Sequence, residues 1–168
     1  MRQEWASLET LGFPAYEISN DGLVRNRRTE RIIKTSANQE GIVRVGLMRP
    51  DVGVQRTVSL ARLVARMFVL GRSATFDTPI QLNGNRADCT VENMMWRPRW
   101  FAVKYYRQFE NEEPLMRTKI YDVETSREYN NTREAATENG LLEEDIAKSV
   151  VNGSPCFPTW QIFARVTH

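Results

Sequence analysis

Between residues 77 and 96 the chain reads DTPIQLNGNRADCTVENMMW, which sets three carboxylates and several side-chain amides around an Asn-Gly turn. Asp77, Asp88 and Glu92 carry the oxygens that a hard divalent cation requires, and two of them together could hold Mg²⁺. Their spacing does not make them converge, so surface and capping roles fit them better. A base near neutral pH calls for an imidazole. The only histidine is His168, the last residue, which would have to fold back across the molecule to reach this stretch. Gln81 occupies the middle of the segment, and its amide does not titrate.

The second group with chemical potential is cationic. Of 23 basic residues, 19 are Arg and 4 are Lys. That bias suits bidentate contacts to phosphate or guanine, and equally reflects a GC-rich genome. Net charge is only +2, but its distribution is uneven. Residues 1 to 109 hold 17 Lys and Arg against 10 Asp and Glu, while residues 110 to 168 hold 6 against 11. A polyanion belongs at the basic end.

Cys89 and Cys156 stand far apart without zinc or disulfide-framework spacing, so reduced structural thiols are expected. No apolar run approaches the roughly 18 residues of a membrane span, and the N-terminus lacks a signal-peptide core. The expectation is a soluble intracellular protein with no membrane partner, no cofactor and no metal.

These groups must be positioned by short elements. GFPAYEISNDGLVRN alternates around an Asn-Asp-Gly turn, predicting a hairpin with Ile18, Leu23 and Val24 toward a core. Arg25, Arg27 and Arg28 project from its far strand and the following turn. Strands are expected at 41 to 48 and 54 to 60, joined by Pro50-Asp51-Val52-Gly53, and the four strands read as a small twisted antiparallel sheet that includes Arg44. Leu60, Leu63, Val64, Met67 and Phe68 then recur at helical spacing, with Arg62 and Arg66 on the opposite face.

A hairpin at 79 to 90, a short helix from Val91 to Trp96 and a further helix past Pro98 follow. In the last, Arg99, Lys104 and Arg107, preceded by Arg97, interleave with Trp100, Tyr105 and Tyr106, which reads either as a nucleic-acid face or as a core helix with solvated charges. Trp5, Tyr16, Trp96, Phe101 and Trp160 are expected as core anchors, since small domains need large apolar side chains.

A linker is expected at 111 to 117, where the charge changes sign. Beyond it come a hairpin around Glu124-Thr125-Ser126, a helix capped by Asn131 and Glu134 and stopped by Gly140, and a second helix through EEDIAKSVVNG. Two short helices meeting near a glycine have helix-turn-helix spacing, and Lys148, Ser149 and Asn152 would face a groove. The acidic start, Glu143-Glu144-Asp145, repels phosphates and makes a protein partner for this module as reasonable as base reading.

Three stretches, in order, resemble the HNH homing endonucleases of phages and mobile introns. EW with GFPAYEISNDGLVRN is similar to their N-terminal NUMOD-type module. LARLVARMF with PIQLNGNRADCTVENMMW resembles their HNH core. KIYDVETSREYNNTREAATENGLLEEDIAKSVVNG resembles the intron-encoded nuclease repeat. The resemblance implies an α+β fold: a small antiparallel sheet and a ββα, His-Me finger-like core in residues 1 to 110, then a hairpin and helix-turn-helix module in 118 to 168.

It also implies where the catalytic groups should be. Ala61 stands where the family has the histidine before Arg-Leu-Val, Ile80 and Gln81 replace the Asp/Asn-His pair, and Asn83 replaces the turn acid; Asn93 remains. Loss of a general base alone typically costs about 10² to 10⁴ in rate. The leading expectation is a nucleic-acid binder, of duplex DNA with RNA as an alternative, that does not cut. The other two are a scaffold recruited into a larger phage or ribonucleoprotein assembly, and a metal-dependent endonuclease with a rearranged site.

Overall fold

The computed structural model describes residues 1 to 167; His168 lies outside the described residues. Among the described residues the fold is mixed α+β, built from small antiparallel sheets and four α-helices. Internal packing divides the chain into two compact units, Met1–Arg99 and Trp100–His168. No described helix is long and apolar enough to cross a membrane.

In the first unit, β1 (Trp5–Ser7), β2 (Tyr16–Ser19) and β3 (Val24–Asn26) form one three-stranded sheet. Its turn is the expected Asn-Asp-Gly, in which Gly22 takes φ of 86°, a conformation glycine adopts without a Cβ clash. Ile18 and Val24 are fully buried and paired across the strands, whereas Leu23 is 40% exposed. Neighbouring residues of a strand point to opposite faces, so Leu23 and Val24 could not both turn inward.

β4 (Thr35–Ala37), β5 (Val43–Arg49) and β6 (Val54–Ser59) make a second sheet, so the strands expected in one sheet lie in two. Helix α1 (Leu60–Phe68) begins at Ser59, whose Oγ accepts the Arg62 amide, and buries Leu60, Leu63 and Val64. The antiparallel pair β7 (Thr78–Gln81) and β8 (Met94–Arg97) completes the unit. The helix expected from Val91 to Trp96 is a single 3-10 turn, Val91–Asn93, followed by strand. Met94 and Trp96 alternate into the core there, which is a strand period. Leu8, Phe13, Ile18, Val45, Leu63, Val64, Met94 and Trp96 belong to one apolar cluster, so the N-terminal module and the hairpin share a core.

The second unit contains all but the first residue of α2 (Arg99–Arg107). It continues with β9 (Ile120–Asp122), β10 (Glu128–Tyr129), α3 (Thr132–Asn139), α4 (Glu143–Asn152) and β11 (Phe163–Arg165). Strand β11, for which the sequence carries no local signal, adds to β9 and makes the sheet order β10-β9-β11. Asn131 caps α3 by accepting the Glu134 amide at 2.9 Å, and Gly140 ends it in the left-handed region. Phe101 of α2 packs near Phe157, with ring centroids 6.1 Å apart. Arg133 donates to the carbonyls of Gln108 and Asn111 at 2.9 Å, so the stretch following α2 is held by α3.

Candidate nucleic-acid interface and the hairpin site

In the β7–β8 pair Pro79 faces Trp96, Ile80 faces Met95 and Gln81 faces Met94. The Trp96 indole N–H donates to the Val69 carbonyl at 2.9 Å, fixing β8 against the end of α1. Ile80 is fully buried and Ala61 is half-buried against the core. Gln81 is buried too; its amide donates to the Arg86 carbonyl at 3.0 Å and lies 3.8 Å from Cys89 Sγ.

The loop between the strands closes on itself. Asn93 donates to Asn83 Oδ1 and to the Asp88 carbonyl, each at 3.0 Å, and its own Oδ1 accepts the Asn83 amide at 3.1 Å. Asp88 accepts the Asn83 side chain at 3.1 Å, and the Thr90 hydroxyl at 2.8 Å and amide at 3.2 Å, which is a capping role. Asp77 accepts the Thr78 hydroxyl, and Glu92 is exposed. Among the described residues, no three His, Cys, Asp or Glu side chains gather as metal ligands would. Burial raises the Cys89 thiol pKa, against a lowering hydrogen bond from Gln81 and with a further rise from the charge of Asp88.

The arginines separate into two kinds. Arg44 on β5 with Arg62 and Arg66 on α1 line one concavity of about 550 Å³, alongside Thr57 and Ser59 of β6. All three arginines are exposed. Sequence reasoning misses the two hydroxyl residues as part of this wall, although Ser59 directly before an apolar helix is a legible N-cap. Arg28 and Arg99 are exposed, and Arg27 reaches Glu9 at 3.8 Å.

Arg25 and Arg97 are less open to solvent than expected, Arg25 half-buried and Arg97 buried. Arg25 lies 3.8 Å over the Trp5 ring and pairs with Glu17 at 2.6 Å. Arg97 is buried and donates to the Trp96 carbonyl at 2.9 Å. In the second unit Lys104, Arg107, Lys148 and Asn152 are exposed. Ser149, expected at a groove, is instead buried, and its Oγ accepts the Phe163 amide at 2.9 Å. Strand β11 covers that face of α4, and no local sequence pattern signals it.

Residues 4–48 match the NUMOD4 motif. An uncharacterised HNH endonuclease of Acanthamoeba polyphaga mimivirus is 32% identical over 93 residues, which is 55% of this chain but 23% of that protein. The chain thus spans about a quarter of the length of that relative. The solved structure of the HNH homing endonuclease I-HmuI, described for its DNA binding and cleavage, superposes with a TM-score of 0.55. The match covers 98% of this chain and 99% of that one, at 19% identity.

The fold is that of an HNH homing endonuclease. β7, β8 and the intervening loop are the segment that resembles the HNH core, and β1 to β3 lie within the NUMOD4 segment. The NUMOD4 turn is joined to the hairpin loop directly: the Val91 amide donates to the Asn20 carbonyl at 2.9 Å, and a Cβ on Gly22 would sit 3.4 Å from Cys89.

Proposed function

We propose that this protein binds duplex DNA through the concavity of Arg44, Arg62 and Arg66 and does not hydrolyse it. The observation that carries the binding half is the convergence of three exposed arginines and two hydroxyl residues from β5, β6 and α1 on one concave wall. Guanidinium groups match phosphate oxygens bidentately, and hydroxyls add hydrogen bonds to the same backbone. I-HmuI, described as binding and cleaving DNA, shares this fold, which makes duplex DNA the preferred polyanion.

The non-cleaving half rests on the chemistry of the hairpin. A nuclease of this fold would hold a divalent cation and activate water beside it. The side chains at the corresponding positions do not suit either task. Ile80 offers no oxygen, Ala61 no base, and the Gln81 amide is engaged with the Arg86 carbonyl. Asn83 and Asn93 are bonded to each other. Neutral amides also neither titrate near neutrality nor neutralise the ion.

Two measurements separate the halves. Gel-shift titration with duplex DNA at low salt should show binding that weakens strongly when Arg62 and Arg66 are both changed to Ala; absence of binding ends the proposal. Supercoiled plasmid incubated with Mg²⁺ or Mn²⁺ should stay intact. Nicking that requires the metal and disappears in Asn93→Ala would establish an active nuclease instead.

A further inference from the structure

The outer face of the second sheet carries a polar side chain that phosphate binding leaves unused. Val45 and Leu47 of β5 point into the core, so Arg44, Gly46 and Met48 point outward, paired in turn with Ser59, Thr57 and Gln55 of β6. Arg44, Thr57 and Ser59 belong to the wall of the concavity that includes Arg62 and Arg66. Gln55 continues the same face beyond them and is exposed. Among the described residues its amide has no hydrogen-bond partner, so its donor and its acceptor are both free for a ligand.

Gly46 fixes where that amide lies. Among the described residues it is the only one of nine glycines whose φ is not positive, so its backbone suits any residue and what it contributes is the missing side chain. A Cβ there would sit 2.2 Å from Gln55 Nε2 and 3.1 Å from Gln55 Cδ. The Gln55 side chain therefore crosses from β6 onto β5 and fills the space above Gly46, a close approach of the kind that strand glycines mark. Because Gly46 pairs with Thr57 and Arg44 with Ser59, the amide lies one same-face step, about 7 Å, along the sheet from the Arg44–Ser59 pair. A major groove is about 12 Å wide, so with one strand's phosphates at that pair the amide stands over the base edges. Adenine presents an acceptor and a donor there, N7 and N6, which match both halves of a glutamine amide. Guanine presents two acceptors and phosphate only acceptors, and each would leave the glutamine carbonyl unpaired.

Resting on the reading that the concavity of Arg44, Arg62 and Arg66 holds duplex DNA, we propose that Gln55 selects an adenine in the major groove of that duplex and that Gly46 is its positioning residue. The test mixes the full chain with duplexes carrying a randomised central segment, sequences the bound fraction and measures the preferred duplex by gel shift. One position is expected to select adenine. Replacing that adenine by 7-deazaadenine, which keeps the base pair and removes N7, should weaken binding about tenfold. Gln55→Ala and Gly46→Ala should each bind the unmodified and deaza duplexes equally, while both stay folded in thermal melts and keep the wild-type salt dependence. Duplex binding with no adenine preference, or with one that persists in Gln55→Ala, overturns the role of Gln55 and leaves the DNA-binding reading standing. So does an equal loss of affinity for every sequence in Gln55→Ala, which would make Gln55 a phosphate contact. A preference lost in Gln55→Ala but kept in Gly46→Ala overturns the positioning role, and absence of duplex binding at low salt overturns both this proposal and the reading beneath it.

Discussion

Of the catalytic positions that the resemblance implies, Asn93 alone keeps its identity, and its work here is holding the loop together. It bonds Asn83 in both directions and reaches the Asp88 carbonyl. Removing it leaves part-buried donors and acceptors unpaired, which typically costs about 1–3 kcal/mol. Asn93→Ala should therefore lower stability by that amount in denaturant unfolding without altering affinity for duplex DNA. Restoring an imidazole by Gln81→His should not by itself yield metal-dependent plasmid nicking, because Ile80 and Ala61 would still supply neither ligand nor base. Titratable side chains elsewhere follow the same logic of environment. Burial raises the Cys156 thiol to about 11, against a lowering hydrogen bond from Ser149. At neutral pH it is protonated and enclosed, so thiol-reactive reagents should label Cys156 only under denaturing conditions.

At the scale of elements, the acidic start of α4 does two different things. Glu143, 2% exposed, accepts the Thr132 hydroxyl at 2.7 Å and pairs with Arg133 at 2.6 Å. It also receives the Leu115 amide at 3.2 Å, so it ties α3, α4 and the stretch after α2 together. Along the chain it is one of three like charges at a helix N-terminus; folded, its charge is committed internally. Glu143→Gln removes the charge partner of Arg133, which keeps its carbonyl acceptors and some solvent, and should destabilise the second unit by about 1–3 kcal/mol in urea unfolding. Asp122 closes the β9–β10 turn. Burial raises its pKa, but donation from Gln161 and the amides of Glu124 and Thr125 outweighs that, and the carboxyl sits below its ordinary value. A depressed carboxylate stabilises the fold at all pH above its unfolded pKa, and that stability is lost as pH falls through the folded one. Acid unfolding of the wild type should thus show a loss below the ordinary aspartate range that Asp122→Asn, already less stable at neutral pH, lacks. The elements themselves are largely readable: the Asn-Asp-Gly hairpin, the amphipathic α1 and the Asn131 cap all have local causes. Strand β8 reads as helix because its alternation spans only four residues, too few to separate the two periods.

For the whole molecule, charge asymmetry is what the proposed DNA binding would use, since the basic residues gather in the first unit. Each phosphate neutralised releases condensed counterions, with a slope near −0.9 per contact in log K against log salt. Changing Arg62 and Arg66 to Ala should make that slope shallower by about two, read by gel shifts at several salt concentrations, whereas Arg25→Ala should act through stability alone. The sequence by itself determined the α+β class, the basic and acidic halves, the NUMOD-type segment and the identities Ala61, Ile80 and Gln81, because these are matters of composition, local periodicity and which atoms a side chain has. Tertiary structure decided which charges are free. Arg44 meets Arg62 and Arg66 only because β5 pairs with β6, which leads directly into α1. Arg97 and Ser149 turn inward, and Trp160 turns outward, through contacts between segments distant in the chain, and such contacts leave no local pattern to read.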